Sequence, residues 1–379
     1  MARHVSTGEK PANQRVIDRR DFIKIGTAGA ALLAEAKVLA ASALGNPQSV
    51  AQRNPATGGG GGLIDAHAHW VPESYAQALM ELGHPTTSIH SPLEVNVNLE
   101  QRVQWMDARG IQMHVLTLDG GMPWQWASPA DGARLAQLVN DAAVAAHLKY
   151  PTRFIAGIEM PIREPALALR ELNRMAGKPG MRAIHLPNSI ANSDFLFEPA
   201  YESLWARCEQ LGYPILFHPL DGEENIYGGK ERLGNPLAVS ANLGNTLGFP
   251  FESSTTAAKF IITGTLDKFP RLEILLPHSG GCFPYVAGRI ERGLAAKKFK
   301  LQRPFREYIR RFHYDSITYY PETLRFLIAL VGSDRVVIGT DDYAPMDVEE
   351  PNVLIEQLHL PAEDRDLILH GNAKRLFRL

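Results

Sequence analysis

Residues 63–70 read Leu-Ile-Asp-Ala-His-Ala-His-Trp, an apolar pair followed by two histidines with one small residue between them. Side chains alternate between the two faces of a β-strand, so residues two apart point the same way. We therefore predict that His67 and His69 project together from the end of a buried strand. Two imidazoles held side by side form half of a zinc-type site. A His-x-His pair also occurs by chance, so its meaning depends on partners elsewhere in the chain.

The composition is that of an ordinary globular protein with ample material for a large core, since 45% of the 379 residues are hydrophobic and 21% are charged. The formal net charge of -2 predicts neither a nucleic-acid partner nor a polybasic membrane-binding patch. The cysteines are Cys208 and Cys282, which allow at most one disulfide and form no Cys-x-x-Cys pair. We therefore expect neither a disulfide scaffold nor a cysteine-ligated zinc site.

The first 43 residues are predicted to be an export signal rather than part of the fold. An arginine pair at 19–20 precedes a mildly apolar, alanine-rich run that ends in Ala-Ser-Ala at 41–43, a pattern that fits signal cleavage. This order resembles a twin-arginine signal and predicts a periplasmic or otherwise exported protein. The run is too short and interrupted to remain as a membrane span. The alternative is a chance arginine pair before an amphipathic helix, which the charged Glu35 and Lys37 favour.

The chain is predicted to have three parts. The signal peptide covers 1–43, and a flexible linker that ends in five glycines covers 44–62. From residue 63 to 379, short apolar runs alternate with helical patterns, and eight of these runs are strand-like. The runs are continuously apolar, as buried parallel strands are. We predict one α/β domain, a (β/α)8 TIM barrel. A doubly wound sheet is the competing architecture, but no Gly-x-Gly-x-x-Gly motif follows the first strand.

Polar residues stand where several of these strands end. The first strand ends in His67 and His69, the fifth in His218, the sixth in His278 and the eighth in Asp341. Chemistry in such a barrel collects at the carboxyl ends of the strands. Imidazole and carboxylate ligands suit zinc or another borderline divalent metal, which can activate bound water or polarise a substrate oxygen. The pattern predicts a metal site assembled from distant parts of the chain, with one histidine suited to general acid or base work.

Four short motifs occur in an order that resembles a known family. They are His-x-His at 67–69, Phe-His-Pro at 217–219, His-Ser-Gly-Gly at 278–281 and Gly-Thr-Asp at 339–341. They resemble the amidohydrolase-related metal enzymes of the amidohydrolase 2 type, and most of all the branch of aminocarboxymuconate-semialdehyde decarboxylase. The resemblance extends from residue 63 to the end of the chain. It implies the TIM barrel of the metal-dependent hydrolases.

The resemblance also implies a role for individual residues. One divalent metal, Zn²⁺ with Mn²⁺ as the alternative, is held in the family by the residues matching His67, His69, His218 and Asp341. The residue matching His278 is catalytic and moves protons. Two arginines, matching Arg102 and Arg289, grip a substrate carboxylate, and the second reaches into the partner subunit's site, which implies a homodimer. Without the resemblance, both arginines would be interpreted as ordinary helix-surface residues.

Three functions remain open from the sequence. The resemblance favours decarboxylation of a small unsaturated or aromatic carboxylic acid, but a metal-dependent hydrolase of a lactone, ester or amide would use the same site. A binding protein that has lost catalysis is the third. Leu220 replaces an aromatic residue of the family pattern, and the Gly- and Asn-rich segment 221–248 is predicted to form a loop over the pocket. His185 also ends a strand, where substrate contact and a structural role are both open.

Overall fold

The computed structural model describes residues 62–84, 98–190, 193–220, 243–342 and 346–379. The predicted signal at 1–43 lies outside these ranges, as do all but the last residue of the predicted linker and most of the predicted loop at 221–248. Within the described part of the chain, no helix combines the length and the apolar character needed to cross a bilayer.

Eight parallel strands form one sheet in the order β1 to β8, so each strand pairs with the next along the chain. The strands are β1 (Leu63–His69), β2 (Ile111–Thr117), β3 (Phe154–Ile158), β4 (Met181–Pro187), β5 (Ile215–His218), β6 (Ile274–Leu276), β7 (Phe312–Asp315) and β8 (Val336–Val337). The last strand returns to the first, because the Ala66 N–H donates to the Ile338 carbonyl at 2.8 Å and the Asp341 N–H donates to the His67 carbonyl at 3.0 Å. The sheet is therefore a nearly closed barrel, and the predicted (β/α)8 fold is confirmed.

Helices follow most strands and cover the outside of the barrel. They are α1 (Glu73–Glu81), α2 (Leu99–Ala108), α3 (Pro129–Lys149), α4 (Pro165–Met175), α5 (Glu202–Leu211), α6 (Phe249–Ile262), α7 (Thr265–Lys268), α8 (Phe283–Ala296), α9 (Phe305–Ile309), α10 (Pro321–Val331), α11 (Pro351–Glu356), α12 (Ala362–Asp366) and α13 (Asn372–Phe377). Several begin at proline, whose fixed φ suits the first helical turn and whose missing N–H is not needed there. A π-helical turn precedes both α6 and α13.

Two apolar layers hold the barrel together. Seven of the eight strands contribute to an inner cluster whose strand residues are Ile64, Ala66, Val115, Ile155, Ala183, Leu216, Leu275 and Val337. The C-terminal helix α13 adds Ala373, Leu376 and Phe377 to this cluster. A larger cluster fills the space between the strands and the surrounding helices. Because the inner layer is apolar, the polar side chains that follow it collect at the carboxyl ends of the strands.

The predicted strand boundaries differ from the structure by two or three residues at β1, β6, β7 and β8. We predict strands over 63–66, 272–278, 312–318 and 336–340, whereas β1 runs on to His69, β6 covers only Ile274–Leu276, β7 ends at Asp315 and β8 ends at Val337. Beyond β8 the chain passes very close to its neighbours, because a Cβ at Gly339 would lie 2.8 Å from the Cβ of Asp315 and 3.0 Å from that of His67. Glycine is therefore required where the chain approaches the site.

Candidate metal centre and active site

Four side chains meet at the carboxyl ends of β1, β5 and β8. They are His67, His69, His218 and Asp341, all buried, and one potential ligand atom from each lies within 4.8 Å of the others. Nε2 of His69 lies 3.2 Å from Nε2 of His67 and 3.0 Å from Oδ1 of Asp341. These residues are the four that the sequence predicts as metal ligands, and folding brings them together from the first, the fifth and the last strand of the domain.

A register shift in β1 decides which way its histidines point. Opposite β2, the three-residue step from Asp65 to Ala68 pairs with the two-residue step from His114 to Leu116. Such an extra residue is a β-bulge, which reorients the side chains that follow it. Ala66 lies in the inner apolar cluster, so simple alternation would turn His67 outward. The bulge instead aims both histidines into the barrel mouth.

In each of the three ligand histidines, a hydrogen bond at Nδ1 orients the imidazole ring, so that Nε2 faces the cluster. His67 Nδ1 lies 2.8 Å from Asp315 Oδ2, His69 Nδ1 lies 3.1 Å from the Leu118 carbonyl, and His218 Nδ1 lies 2.8 Å from the Pro219 carbonyl. Since each of these partners only accepts, the neutral rings carry the proton on Nδ1 and leave a lone pair on Nε2. Metal-binding histidines are oriented in this way.

The donor set fits a divalent cation. With the protons on Nδ1, the Nε2 atoms of His67 and His69 present lone pairs to each other at 3.2 Å, beside a carboxylate oxygen of Asp341. A group of acceptors facing one another without a donor is repulsive, and a cation between them removes that repulsion. Three imidazole nitrogens and one carboxylate oxygen are typical ligands of zinc and similar borderline metals.

Most of the protonation states favoured by the site also suit metal binding. Burial lowers the pKa of His218 well below its usual value, and the neighbouring imidazoles of His69 and His67 lower it further. Burial also lowers the pKa of His67, in spite of Asp315. Burial by itself would lower the pKa of His69 as well, but its hydrogen bond to Asp341 raises it, so metal binding there displaces a proton. Burial by itself would raise the pKa of Asp341, but the imidazoles of His278 and His69 bring it well below its usual range. Neutral imidazoles and an ionised carboxylate are the forms that ligate metals.

His278 stands beside the cluster rather than within it. Its Nε2 lies 3.8 Å from Asp341 Oδ2, and its ring centre lies 5.3 Å from that of His67 and 5.5 Å from that of His218. Among the described residues its Nδ1 has no hydrogen-bond partner. The backbone is in the left-handed region at both His278 (φ 52°) and Asp341 (φ 59°). Such conformations are costly for residues other than glycine and often occur at functional sites.

Asp315, at the end of β7, connects His67 to His278 and is a residue that the sequence argument missed. Its Oδ2 also accepts from the His278 N–H at 2.8 Å, and its Oδ1 accepts from the Ser279 N–H at 2.7 Å. One carboxylate therefore fixes the His67 ring and the turn that carries His278. The predicted strand at 312–318 places Asp315 inside the strand rather than at its end, so a search for polar residues at strand ends did not find it.

Arg102 lies in a different place from the one that the prediction implies. Its side chain is completely buried, and Nη1 donates to Asp342 Oδ2 at 2.9 Å while Nη2 donates to the His69 carbonyl at 2.5 Å. A guanidinium that grips a substrate carboxylate must be reached by the substrate, whereas this one is fully buried and bonded to groups of the protein itself. Asp342, which could be confused with Asp341 as a ligand, is thereby held outside the cluster.

The other predicted or open site residues lie on two different parts of the barrel. Arg289 is exposed on α8, so within a single chain it is not part of the cluster. His185, on β4, is buried with Nδ1 2.6 Å from Glu159 Oε1. It lines a small cavity together with His67 and His218. The carboxylate partner satisfies His185 as a structural histidine, while contact with a substrate stays a prediction.

The barrel and its His/Asp cluster define a metal-binding site of the amidohydrolase type, and comparison with known proteins agrees. The model of a family described as amidohydrolase matches residues 64–379. The chain belongs to this family.

Named relatives of the chain are decarboxylases. Over 277 residues the chain is 30% identical to 2-amino-3-carboxymuconate-6-semialdehyde decarboxylase of Dictyostelium discoideum. This alignment covers 72% of this chain and 74% of the relative. It is 28% identical over 294 residues to gamma-resorcylate decarboxylase of a Rhizobium species, covering 74% and 87%. The fold is similar to that of 5-carboxyvanillate decarboxylase of Novosphingobium aromaticivorans, solved with manganese and 4-hydroxy-3-methoxy-5-nitrobenzoic acid (TM-score 0.73, 21% identity, 84% of this chain and 97% of that one).

Proposed function

We propose that this protein is a metal-dependent decarboxylase that acts on a small unsaturated or aromatic carboxylic acid. The observation that carries the proposal is the geometry of the site: three imidazoles and one carboxylate converge, and a fourth imidazole, His278, is left beside them. The relatives named above, which are decarboxylases, support the reaction type and do not favour the hydrolase alternative. An intact ligand set speaks against a purely binding role.

In this proposal, His67, His69, His218 and Asp341 hold the metal. When bound, the metal supplies Lewis acidity toward an oxygen of the substrate. His278, fixed by its backbone bond to Asp315, donates a proton to the substrate carbon that bears the carboxylate. The bond from that carbon to the carboxylate carbon then breaks, its electron pair returns to the substrate's unsaturated system, and carbon dioxide leaves.

The metal is proposed to be zinc, with manganese as the alternative. A majority of imidazole nitrogens among the ligands favours zinc over harder, oxygen-seeking cations. Manganese is supported by its presence in the similarly folded 5-carboxyvanillate decarboxylase. Metal analysis of the purified protein distinguishes the two.

The export signal also belongs to this proposal. The twin-arginine motif, the alanine-rich run and the cleavage pattern support removal of 1–43 and a periplasmic or exported enzyme, with 44–62 as a tether to the barrel domain at 63–379.

The proposed reaction predicts carbon dioxide release from a carboxylic acid without ring opening. The measurement is CO₂ release by the metal-loaded protein from a panel of hydroxybenzoates and muconate-like acids. Lactones and esters are tested in parallel as substrates of the hydrolase alternative. We expect turnover of at least one acid, with the decarboxylated ring or chain as the sole other product. Ring opening of a lactone, with no CO₂ from any acid, would instead identify a hydrolase.

A homodimer in which Arg289 binds the carboxylate in the partner's site is proposed from the family resemblance and from the exposure of this arginine on α8. We expect Arg289→Met to raise KM about 10-fold or more, since it removes a charge-assisted contact with the substrate. Arg292, three residues further along α8, is also exposed, so Arg292→Met is the matched control and should leave KM unchanged.

Mixed dimers test whether Arg289 acts across the subunit interface. When Arg289→Met and His278→Gln chains are combined, each mixed dimer contains one site with both residues intact. At substrate concentrations well below KM, about a quarter of all sites should therefore show the kcat/KM of the wild type. No recovery in verified mixed dimers, or a monomeric protein, would refute the shared site.

A further inference from the structure

Arg102 connects the two strand ends that carry His69 and Asp341. It projects from α2, is fully buried, and donates to the carbonyl of His69 itself and to the carboxylate of Asp342, the residue after Asp341. His69 and Asp341 are 272 positions apart in the chain, yet their side chains lie 3.0 Å apart. A single guanidinium therefore bonds to both segments, at the backbone of one ligand residue and at the residue that follows the other.

The chemistry of this contact is specific to arginine. The guanidinium is a rigid, planar group with several donors, so it reaches two acceptors in different directions at once, which a lysine ammonium on a flexible stem does not reproduce. Nη1 also lies 3.1 Å from Nδ1 of His114, which comes from the neighbouring strand β2. The contact therefore fixes an angle and a separation rather than only balancing a charge.

Stability alone gives little reason to keep such a pair. Burying an arginine and a carboxylate costs desolvation energy that their attraction roughly offsets, and apolar replacements of similar volume are often as stable or more so. A buried pair that contributes little stability but holds two backbone segments in register is best explained by what those segments carry. Here they carry two ligands of the proposed metal site.

We propose that Arg102 is a positioning residue that sets the affinity of the site for its divalent metal by holding the ends of β1 and β8 together. It acts through the backbone of His69 and through Asp342, and it does not contact the substrate. The inference rests on the metal site of the proposed function but not on the reaction that the site performs.

The structure offers a matched control at the other end of β8. Asn372 is also fully buried, and its Nδ2 donates to the carbonyls of Ser333 and Val336, each at 2.7 Å. Asn372→Ala therefore removes one buried and one partly buried hydrogen bond, to the first residue of β8 and to the turn before it, so the change lies at the amino end of the strand, away from the ligands. It reports what a loss of stability alone does to metal binding.

The test is competition for Zn²⁺ between the full-length metal-free protein and a chromophoric chelator, well below the unfolding temperature. We expect Arg102→Lys and Arg102→Met to raise the Kd for Zn²⁺ about 10- to 100-fold, as the loss of outer partners of metal ligands does. Asn372→Ala should lower Tm and leave the Kd unchanged. Arg102→Lys keeps a positive charge beside Asp342, so it remains informative if Arg102→Met does not fold.

Substrate kinetics at saturating metal provide the second readout. With the site filled, Arg102→Lys should keep the KM of the carboxylate substrate within about twofold of the wild type, whereas a group that binds substrate would raise it by an order of magnitude. An unchanged Kd for Zn²⁺ with a strongly raised KM would overturn the inference. It would show instead that Arg102 binds the substrate carboxylate. Wild-type protein that binds no metal would instead remove the proposed function itself, so the two failures are distinguishable.

Discussion

Asp341→Asn is expected to remove both the metal and the activity. Asp341 is the single anionic member of the cluster, and its Oδ1 lies 3.0 Å from His69 Nε2. The amide that replaces it carries no charge and turns one ligand oxygen into a donor group of similar size. Because outer partners alone change metal affinity about 10- to 100-fold, we expect the loss of this ligand to cost on the order of a thousandfold in affinity and in CO₂ release.

The measurement is metal content after gel filtration, together with the initial rate of CO₂ release. Asp347→Asn is the control, because Asp347 is a half-buried carboxylate six residues further on that does not belong to the cluster. It should retain about one metal per chain and nearly full activity. An Asp341→Asn protein with full metal content and turnover would show that the cluster is not the metal site.

His278→Gln is expected to separate catalysis from metal binding. The imidazole lies beside Asp341 at 3.8 Å and is not one of the four clustered ligands. Loss of a positioned proton donor typically lowers kcat by about 10²- to 10⁴-fold. We expect kcat to fall in this range, while metal content and KM change little, because the ligands and the substrate contacts remain.

Metal content, kcat and KM are the measurements for this variant. His370→Gln, in the π-helical turn before α13, is the control and should leave all three quantities unchanged. If His278→Gln instead loses the metal, His278 is a ligand and a different residue must handle the proton.

The barrel and most of its candidate metal ligands could be predicted from the sequence, because each depends on a short run of neighbouring residues. A buried parallel strand is a continuous apolar run, and a polar residue directly after it marks the functional end of the strand. Eight such runs indicate the barrel. His218 is the last residue of one of them, and Asp341 lies shortly beyond the end of another. The signal and the linker are also local patterns, and they stay predictions because they lie outside the described residues.

Contacts between distant residues were decided only by the tertiary structure. The alternation in residues 63–70 indicates that His67 and His69 point together, but the face they share depends on a register shift against β2. Asp315 orients His67 from 248 positions away. Arg102 looks like a helix-surface residue in the sequence and is fully buried in the fold. Periodicity reports how a residue faces relative to its neighbours, whereas register and packing decide which distant group it meets.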